Sequence, residues 1–380
     1  MSWEKKKLGD LIDLYDNIRI PLSAIEREKR QGEYPYYGAQ SIIDYVNEYL
    51  FDGNYILIAE DGENLRKRSQ PIAFAVSGQF WVNNHAHIVK GKSDIADDLF
   101  IKYFLNNIDI NPYVTGAAQP KLSQRNLKEI AIIAPPLNTQ RKIASILSAY
   151  DDLIETNLKR IKLLEEQAFL KYKGIVRSEA ELKILPLEQL ATVTSSKRIF
   201  LSDYVEEGIP FYRSKEIITK SNFESVQKPL YITEARYSDI KEKFGVPTPG
   251  DLLITSVGTI GFIHLVNDDD GDFYFKDGNL IWIKNLSQKN IAYFLFFKFR
   301  TPEFKEMLNS VAIGSSQKAL TIETVKKIEI EIPSDESLIE FNQETKIIIK
   351  LIYTLQKHNT KLREARDILL PKLMNGQIAV

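Results

Sequence analysis

Apolar residues recur in alternating steps of four and three along two segments of the chain. The first segment begins at Thr139, and its apolar stripe is Ile143, Leu147, Tyr150, Ile154, Ile161, Leu164 and Ala168. The second begins near Leu338, and its stripe is Ile348, Ile352, Leu355, Leu362, Leu369 and Leu373. A heptad stripe sustained over about thirty residues is typical of a coiled-coil helix. We therefore predict two long helices that bury their stripes on each other.

One asparagine interrupts each stripe, Asn157 in the first and Asn359 in the second. Gly174 and Gly376 follow them at equal distances, where we expect the two helices to end. An asparagine buried between paired helices costs stability but fixes their register, so Asn157 and Asn359 are candidate helix-seam residues. The alternative is that each side chain faces solvent, and the sequence leaves both interpretations open.

Short β-prone runs occupy the regions before the two predicted helices. Gly, Asn and Asp separate these runs, which are Tyr55–Ala59, Ile72–Val76, Ala86–Val89, Leu252–Thr255 and Leu280–Ile283. Leu99–Asn106 and Ile291–Phe304 have the period of amphipathic helices, one in each region. Each region is therefore predicted to be a mixed α and β unit of ordinary domain size.

The two regions resemble each other in sequence. Four pairs of segments match in the same order: Leu8–Leu11 with Leu187–Leu190, Tyr34–Tyr37 with Ile209–Tyr212, Gly116–Ser123 with Gly314–Thr321, and Ile130–Pro135 with Ile328–Pro333. Several matches in one order indicate an internal duplication. Their spacing predicts about twenty additional residues in the second copy, which we expect to lie in loops.

Composition and charge narrow the class of protein. A chain of 380 residues, 44% hydrophobic and 27% charged, predicts a globular protein of two or three packed units. The absence of cysteine excludes disulfides, thiolate metal sites and cysteine nucleophiles. No apolar run is long enough to span a bilayer and the N-terminus has no secretory signal, so we expect a cytoplasmic protein. A net charge of −1 means either that DNA is not bound or that partner subunits supply positive charge.

The sequence lacks the motifs of common catalytic sites. It contains no GxxxxGK[ST] phosphate loop and no GxGxxG after a strand, and Val257–Gly261 is an isolated Gly-x-x-Gly turn. His85 and His87 would point to the same face of a predicted strand, but a metal needs further ligands, so we expect a structural pair and no metal. No nucleophile, base and orienting group come together, so no catalytic residue is predicted.

Three other segments have weak catalytic interpretations. Asn111-Pro112-Tyr113 resembles part of the Asn/Asp-Pro-Pro-aromatic motif of adenine methyltransferases. It lacks one proline and a preceding glycine-rich segment, which favours a turn after a helix. The acidic segment Asn267–Asp272 is interpreted as a hairpin turn rather than a metal site, and Glu60–Glu63 has the same two interpretations.

The order of several segments is distinctive over nearly the whole chain. These segments are Tyr36–Ala39, Phe51–Gly53, Val82–His87, Pro135–Ile143, Gly314–Thr321 and Leu369–Ile378. Together with two variable regions that alternate with two long helices, they resemble the specificity subunits of Type I restriction–modification systems. One departure is Pro333–Leu338, which is a degenerate form of the Pro135–Ile143 segment at the entry to the first helix. The sequence therefore fixes the first residue of the second helix only to within several positions.

The resemblance implies an α+β fold with a pseudo-twofold internal repeat. Two α/β target-recognition domains in tandem are separated and followed by long helices that pair as an antiparallel coiled coil. The expected parts are a first target-recognition domain over 1–136, a central coiled-coil helix over 137–178, a second target-recognition domain over 179–335 and a C-terminal coiled-coil helix over 336–380.

The resemblance also implies a function and partners. Each domain would read one half of a bipartite, asymmetric site in double-stranded DNA, while the helices set the spacing and dock two methyltransferase subunits. Restriction/translocase subunits are further expected partners. S-adenosylmethionine, ATP and Mg are expected in the partner subunits, with no cofactor in this chain, which would be non-catalytic. The alternative is a protein-interaction scaffold without a DNA role, which the near-neutral charge favours and the doubled loops with aromatic and basic residues disfavour.

Candidate DNA-binding residues are polar, basic and aromatic side chains in the loops of both copies, because such groups reach base edges and phosphates. In the first copy they are Tyr36, Tyr37, Gln40, Asn64, Arg66, Lys67, Arg68, Gln119 and Lys121. In the second they are Tyr212, Arg213, Ser214, Lys215, Ser315, Ser316, Gln317 and Lys318. The loops from Gly116 and Gly314 are favoured because glycine lets a backbone approach a phosphate closely. The alternatives are that Arg66–Arg68 is a solvated charge run and that the glycine loops only shape the domain.

Overall fold

Two compact units make up the chain. The computed structural model describes residues 3–179, 181–287, 290–314 and 318–380. The first unit comprises Met1–Ile154 with Leu362–Val380, and the second comprises Glu155–Lys361. The division falls inside both long helices, so each unit contains one β-rich region and part of each helix. The boundaries after residues 136, 178 and 335, which the sequence predicts between recognition domains and helices, therefore stay a prediction.

The first unit begins and ends its β-rich region with short strands that pair with each other. Its strands are β1 (Glu4–Lys7), β2 (Ile12–Leu14), β3 (Gln31–Tyr37), β4 (Ile42–Val46), β5 (Phe51–Asp52), β6 (Tyr55–Ala59), β7 (Ala73–Val76), β8 (Gln79–Val82), β9 (Ala86–Gly91) and β10 (Ala131–Ala134). Its helices are α1 (Leu8–Leu11), α2 (Ala24–Lys29), α3 (Asn64–Lys67), α4 (Asp98–Asn107), α5 (Gln124–Glu129) and α6 (Leu137–Ser178), of which α6 continues into the second unit. Single 3-10 turns lie at Asp16–Ile18 and Asn111–Tyr113.

The strands of this unit form sheets in the orders β2-β9-β6-β7 and β4-β3-β8-β5, with β1 paired to β10. Neighbours are antiparallel except β3 and β8, which are parallel. The central strand β6 is apolar on both faces because each face packs into a hydrophobic core. Ile56 and Ile58 belong to the core that includes Phe100 of α4, and Leu57 belongs to the core that includes Phe80 of β8. Alternating side chains of β6 therefore pack against α4 on one face and against the sheet that contains β8 on the other.

The second unit has a matching set of elements. Its strands are β11 (Lys183–Pro186), β12 (Thr192–Thr194), β13 (Tyr204–Val205), β14 (Ile209–Tyr212), β15 (Leu230–Ile232), β16 (Leu252–Thr255), β17 (Ile263–Leu265), β18 (Tyr274–Phe275), β19 (Leu280–Lys284) and β20 (Glu329–Ile332). Its helices are α7 (Leu187–Leu190), α8 (Ser214–Ser221), α9 (Glu234–Phe244), α10 (Ile291–Arg300), α11 (Pro302–Val311), α12 (Ile322–Lys326) and α13 (Asp335–Met374), which extends into the first unit. Its 3-10 turns are Leu201–Asp203 and Asp268–Asp270.

Sheet topology repeats between the units. The order β12-β19-β16-β17 matches β2-β9-β6-β7, and the pair β11-β20 matches β1-β10. The parallel pair β14-β18 takes the place of β3-β8. A hydrogen bond from the first short helix to the residue before the last strand also recurs: the Leu8 amide donates to the Ile130 carbonyl, and the Leu187 amide donates to the Ile328 carbonyl. The predicted duplication is confirmed at the level of hydrogen bonding.

The additional residues of the second copy are not loops, contrary to expectation. They lie between β14 and β16, and this stretch contains α8, β15 and α9. The segment folds because it brings its own apolar side chains: Ile232, Tyr237 and Ile240 pack in one cluster with Phe211 of β14. An insertion that can bury apolar surface forms regular structure.

The predicted strands are confirmed, and one predicted helix is divided. Leu99–Asn106 lies within α4, but Ile291–Phe304 is broken into α10 and α11. Pro302 has no amide hydrogen and keeps Thr301 extended, with φ −65° and ψ 147°. The Thr301 side chain then accepts a hydrogen bond from the Phe304 amide and caps α11.

The two long helices pair antiparallel in each unit. In the second unit Lys171 lies 2.5 Å from Glu344, and Asn157 lies 2.8 Å from Asn359. In the first unit Arg366 binds Asp151 at 2.7 Å. Of the described helices, none is long and apolar enough to cross a membrane.

The ends of the long helices differ in part from the prediction. Helix α13 begins at Asp335, which settles the start that the sequence left open. Gly376 lies two residues after Met374, the last residue of α13, and has φ +73°, as a helix-terminating glycine does. Gly174 instead lies inside α6, which continues to Ser178, so this predicted helix end is wrong. A helix tolerates a glycine in its interior at a modest cost in stability, about 1 kcal/mol relative to alanine.

Candidate nucleic-acid interface

Strand ends of the first unit converge on one side of the sheets. The parallel strands β3 and β8 pair Tyr37 with Val82, and β6 ends at Ala59, paired with Ala86 at the start of β9. Three connecting segments therefore leave the sheets at the same end. They are 38–41 after β3, 60–72 after β6 and 83–85 between β8 and β9. We call this surface, with the glycine loop described next, the strand-end face.

The glycine loop 116–121 is tied to this face by backbone hydrogen bonds. The Gly62 amide donates to the Pro120 carbonyl at 3.0 Å, and the Leu122 amide donates to the Glu60 carbonyl at 2.8 Å. Gly116 has φ +83°, and a Cβ there would lie 2.2 Å from the Gln119 carbonyl oxygen. Glycine is therefore required at this position, both for conformation and for space.

The second unit has the same strand-end face. The Gly258 amide donates to the Lys318 carbonyl at 3.0 Å, and the Leu320 amide donates to the Ser256 carbonyl at 2.7 Å. The loop between β18 and β19 joins them, because the Ser256 amide donates to the Asn279 carbonyl. The two faces thus share a backbone frame while their side chains differ.

A cleft of about 580 Å³ opens on the strand-end face of the first unit. Its lining includes residues from all three connecting segments: Gly38, Ala39, Gln40, Ile43, Asp61, Gly62, Glu63, Asn64, Lys67, Ser69, Gln70, Asn83 and His85. The cleft brings together three of the predicted DNA-binding residues, Gln40, Asn64 and Lys67. Amide, hydroxyl and ammonium groups are those that bind base edges and phosphates.

Several predicted residues of the first unit have a structural role instead. Tyr36 is fully buried and its hydroxyl accepts from the Leu22 amide, so it is not available to DNA, contrary to prediction. Arg68 donates to the carbonyls of Leu105 and Asn106 and holds α3 to the end of α4. The Asn64 side-chain amide donates to the Gln70 carbonyl and accepts from the Ser69 hydroxyl and the Gln70 backbone amide.

The remaining predicted residues of this unit reach the surface. Tyr37 is half-buried beside the cleft, and Gln119 is exposed in the glycine loop. Arg66 donates to the Gly116 carbonyl at 2.8 Å, so it supports the loop, and Lys67 pairs with Glu63. Arg66–Arg68 is therefore not simply a solvated charge run, because two of its three side chains bind carbonyl groups.

In the second unit the predicted DNA-binding residues also differ in whether they are buried, paired or exposed. Tyr212 is buried, which excludes a DNA contact, and the Arg213 guanidinium is paired with Glu216 at 2.8 Å. Ser214 donates to the Asn279 carbonyl, and Lys215 is exposed. Lys318 donates to the Asn309 carbonyl at 3.2 Å. The predicted residues Ser315, Ser316 and Gln317 lie outside the described residues.

A buried ionic network lies beneath the cleft. The ligand atoms of Asp16, Glu60 and His87 are within 4.8 Å of one another, a spacing that could hold a metal ion. Arg19 instead bridges the two carboxylates, at 3.2 Å from Asp16 and 2.8 Å from Glu60. Lys121 adds a second cation at 3.2 Å from Glu60. Protein cations therefore already balance the two carboxylates.

His87 completes this network with both ring nitrogens. Nδ1 lies 2.6 Å from Asp16 and Nε2 lies 2.7 Å from the Leu122 carbonyl oxygen. Because both partners only accept, the two contacts are hydrogen bonds only when each nitrogen carries a proton. His85 contacts a different carboxylate, Asp61, so each of the two histidines is held by its own acidic side chain.

The network also sets the acidity of its carboxyl groups. Burial alone would raise the pKa of Asp16, but the contacts with His87, the Ile88 amide and Arg19 outweigh it, and the pKa lies below its ordinary value. Burial of Glu60 is likewise outweighed by Arg19, His87 and Lys121, so its pKa is also lowered. Both groups are therefore carboxylates at neutral pH.

Two of the segments with weak catalytic interpretations are turns. Asn111–Tyr113 is a 3-10 turn that follows α4, as predicted. Asp268–Asp270 is a 3-10 turn between β17 and β18, which lie in different sheets, so the turn is confirmed and the hairpin is wrong. The Asp270 carboxylate is buried against His264 and Lys220, and these contacts outweigh its burial and lower its pKa.

Among the cleft-lining residues that the sequence did not identify as DNA-binding are Ser69, Gln70, Asn83 and His85. A signal for the last two was present, because Asn83-Asn84-His85 separates two β-prone runs, as recognition loops do. Ser69 and Gln70 had no such signal. Only the position of α3, held by Arg68, brings them to the cleft.

Comparisons with known proteins agree with this duplicated architecture. The sequence model of a family described as Type I restriction modification DNA specificity domain matches residues 1–166 and again residues 180–369. A Haemophilus influenzae protein named as a type I restriction enzyme specificity subunit is 31% identical over 339 residues, which cover 87% of this chain and 83% of that one. The MjaVIII type I restriction enzyme specificity subunit of Methanocaldococcus jannaschii is 23% identical over 415 residues, covering 100% and 93%.

Among solved structures, an S subunit of a Type I restriction–modification system from M. genitalium has the same fold. The TM-score is 0.67 at 17% identity, and the superposition covers 98% of this chain and 96% of that one.

Proposed function

Because the chain belongs to the family of Type I restriction modification DNA specificity domains, we propose that it is the non-catalytic, DNA-reading subunit of a Type I restriction–modification complex. Each unit binds one half of a bipartite, asymmetric site in double-stranded DNA. The observation that carries this function is the strand-end face, built twice with the same backbone hydrogen bonds and different side chains. Tandem copies of one docking face can meet two half-sites as the subunits of a dimer do.

The cleft of the first unit suits base reading. The Gln40 and Gln70 side chains make no hydrogen bond to any described residue, so their amide groups are available to a ligand. Glutamine and asparagine amides bind the edge of adenine with two hydrogen bonds in the major groove. The first half-site is therefore expected to depend on Gln40 and Gln70.

The charge of the chain supports a function within a complex. A net charge of −1 provides little attraction to the phosphate backbone. We propose that two methyltransferase subunits dock on the paired helices and supply much of that attraction, together with S-adenosylmethionine chemistry at adenine. Restriction/translocase subunits, with ATP and Mg, are the further partners. This chain binds none of those cofactors itself.

The paired helices have the role of a spacer in this proposal. Linking two half-site readers makes the second binding event intramolecular, which raises overall affinity when the linker spans the distance between the half-sites. A heptad-paired, antiparallel helix pair is stiff and its register is fixed. The length of DNA left unread between the half-sites is then a property of the helices.

Mapping of methylated adenine tests the function directly. The chain is co-expressed with the methyltransferase of its own operon in a host that lacks adenine methylation, and the genome is sequenced for modified bases. We expect one bipartite sequence to be methylated in both halves. The purified chain alone should bind DNA weakly and should neither methylate nor cleave it.

A double variant separates recognition of the first half-site from assembly of the complex. The double substitution Gln40→Ala and Gln70→Ala should change or abolish the first half-site while the complex still forms. A wild-type complex that assembles but leaves no new bipartite mark would favour the scaffold without a DNA role.

A further inference from the structure

His85 lies at the cleft with one ring nitrogen held and the other open. Its amide donates to Asn83 Oδ1 at 2.8 Å, and its carbonyl accepts from the Glu60 amide at 2.9 Å, so its backbone is fixed. Nδ1 lies 2.8 and 3.1 Å from the two carboxylate oxygens of Asp61. The side chain is 47% exposed, and Nε2 makes no hydrogen bond to any described residue. The ring is therefore oriented, and one of its nitrogens is presented to the cleft.

Asp61 determines what that open nitrogen can do. A carboxylate only accepts hydrogen bonds, so Nδ1 must carry a proton. Nε2 is then an acceptor while the ring is neutral and a donor when the ring is cationic. Duplex DNA presents acceptors at every phosphate and at O6 and N7 of guanine. Only the cationic ring matches these acceptors.

The other charged groups at the cleft favour the cationic ring near DNA. Asp61, Glu63 and Lys67 are the charged side chains that line the cleft beside His85, and the segment after β3 contributes uncharged residues. Lys67 lies 3.4 Å from Glu63 and balances it. The Asp61 carboxylate is thus the unbalanced negative charge that faces the DNA phosphates, and a proton on His85 neutralises it. Approach of phosphates should therefore draw a proton onto this ring.

We propose that His85, oriented by Asp61, contacts an acceptor atom of the first half-site as an imidazolium, so that DNA binding takes up one proton. Asp61 is the positioning residue. This inference rests on the proposed function of the same cleft.

The affinity of the methyltransferase-bound complex for its bipartite duplex, measured at fixed salt from about pH 6.5 to about pH 8.5, tests the proposal. We expect affinity to fall as pH rises, approaching a tenfold loss per pH unit above the ordinary pKa range of histidine. His85→Gln should remove this dependence. Asp61→Asn should weaken this dependence, because a side-chain amide can donate to Nδ1 as well as accept from it and no longer fixes the proton there.

His358→Gln is the matched control, because His358 is exposed on α13 and lies outside the cleft. This variant should keep the pH dependence of DNA affinity that the wild type has. Duplexes with 7-deazaguanine in the first half-site and duplexes with neutral methylphosphonate linkages distinguish the two acceptors. Loss of the pH dependence with the first identifies a guanine contact, and loss with the second identifies a phosphate.

Two results would overturn the inference and leave the proposed function standing. One is a wild-type complex that binds its duplex equally at all pH values. The other is a His85→Gln complex that keeps the full dependence while its thermal unfolding matches the wild type. A complex that neither binds any duplex nor methylates DNA would overturn both proposals.

Discussion

Asn157 donates one hydrogen bond to Asn359 between the paired helices of the second unit. Nδ2 of Asn157 lies 2.8 Å from Oδ1 of Asn359, and the side chains are 9% and 0% exposed. Nδ2 of Asn359 has no partner among the described residues. The solvent-facing alternative is therefore wrong. A buried, half-satisfied pair costs stability, which a role in fixing the helix register would explain.

Substitution of these asparagines tests that role. Asn157→Ala should lower the free energy of unfolding by about 1–3 kcal/mol, because it leaves a buried amide without its partner. Changing both asparagines to leucine should leave stability unchanged or raise it, because both polar groups are removed together. Urea unfolding measures both, with the exposed Thr156→Ala as control. A double variant less stable than Asn157→Ala would contradict this account.

Two glycines with the same backbone conformation separate strain from crowding. Gly116 and Gly78 both have φ +83°, but a Cβ at Gly78 would have no neighbour within 4 Å. Gly78→Ala should cost about 1–2 kcal/mol of stability and leave DNA affinity unchanged. Gly116→Ala should cost more, because the Gln119 carbonyl must move, and should weaken duplex binding by about tenfold or more, or about 1.4 kcal/mol. Equal effects in unfolding and binding measurements would count against a specific role for the glycine loop.

The buried network predicts sensitivity to acid. The pKa values of Asp16 and Glu60 are lowered in the fold, so both carboxylates stabilise it above their ordinary pKa values of about 3.9 and 4.3. This contribution should be fully present at neutral pH and be lost as pH falls through the lowered values. Asp16→Asn should therefore reduce stability at pH 7 and flatten the loss below about pH 4. Denaturant unfolding at several pH values measures this. Parallel curves for variant and wild type would show that the network contributes nothing.

The helical spacer predicts a change in the DNA site. Insertion of one heptad into each long helix, beside Asn157 and Asn359, preserves the apolar stripe and adds about 10.5 Å of helix. The unread DNA between the half-sites should lengthen by about three base pairs, at 3.4 Å each. Methylome sequencing reads the new spacing, and insertion into one helix alone should prevent assembly. An unchanged spacer with both insertions would refute the role.

Periodic patterns in the sequence predicted most of the fold. The strands Tyr55–Ala59 and Leu252–Thr255 were predicted to the residue, because a run of apolar side chains between turn residues has few other solutions. The end of α6 was missed because packing over its full length overrides the local preference of Gly174. The break at Pro302 was missed because the apolar period continues across it.

The interface was harder to predict than the fold. Tyr36 and Tyr212 belong to residue types that contact DNA, but both lie in strands whose alternate side chains point inward, and both are buried. Arg68 was selected for its charge and instead binds carbonyl groups. His85 was interpreted as part of a structural pair, because the sequence does not show its contact with Asp61. Which of several polar side chains is free depends on contacts between segments, and no local pattern records those contacts.

The division of the chain within both long helices has a consequence for its synthesis. The core of the first unit includes Leu373 and Met374, and Gly376 lies against the ring of Trp3. The N-terminal unit therefore cannot complete its core until the ribosome has made the last turns of α13. The second unit, whose residues are contiguous in sequence, can fold earlier. Early folding of the later-encoded unit would then hold the start of α13 in register while its remaining turns emerge.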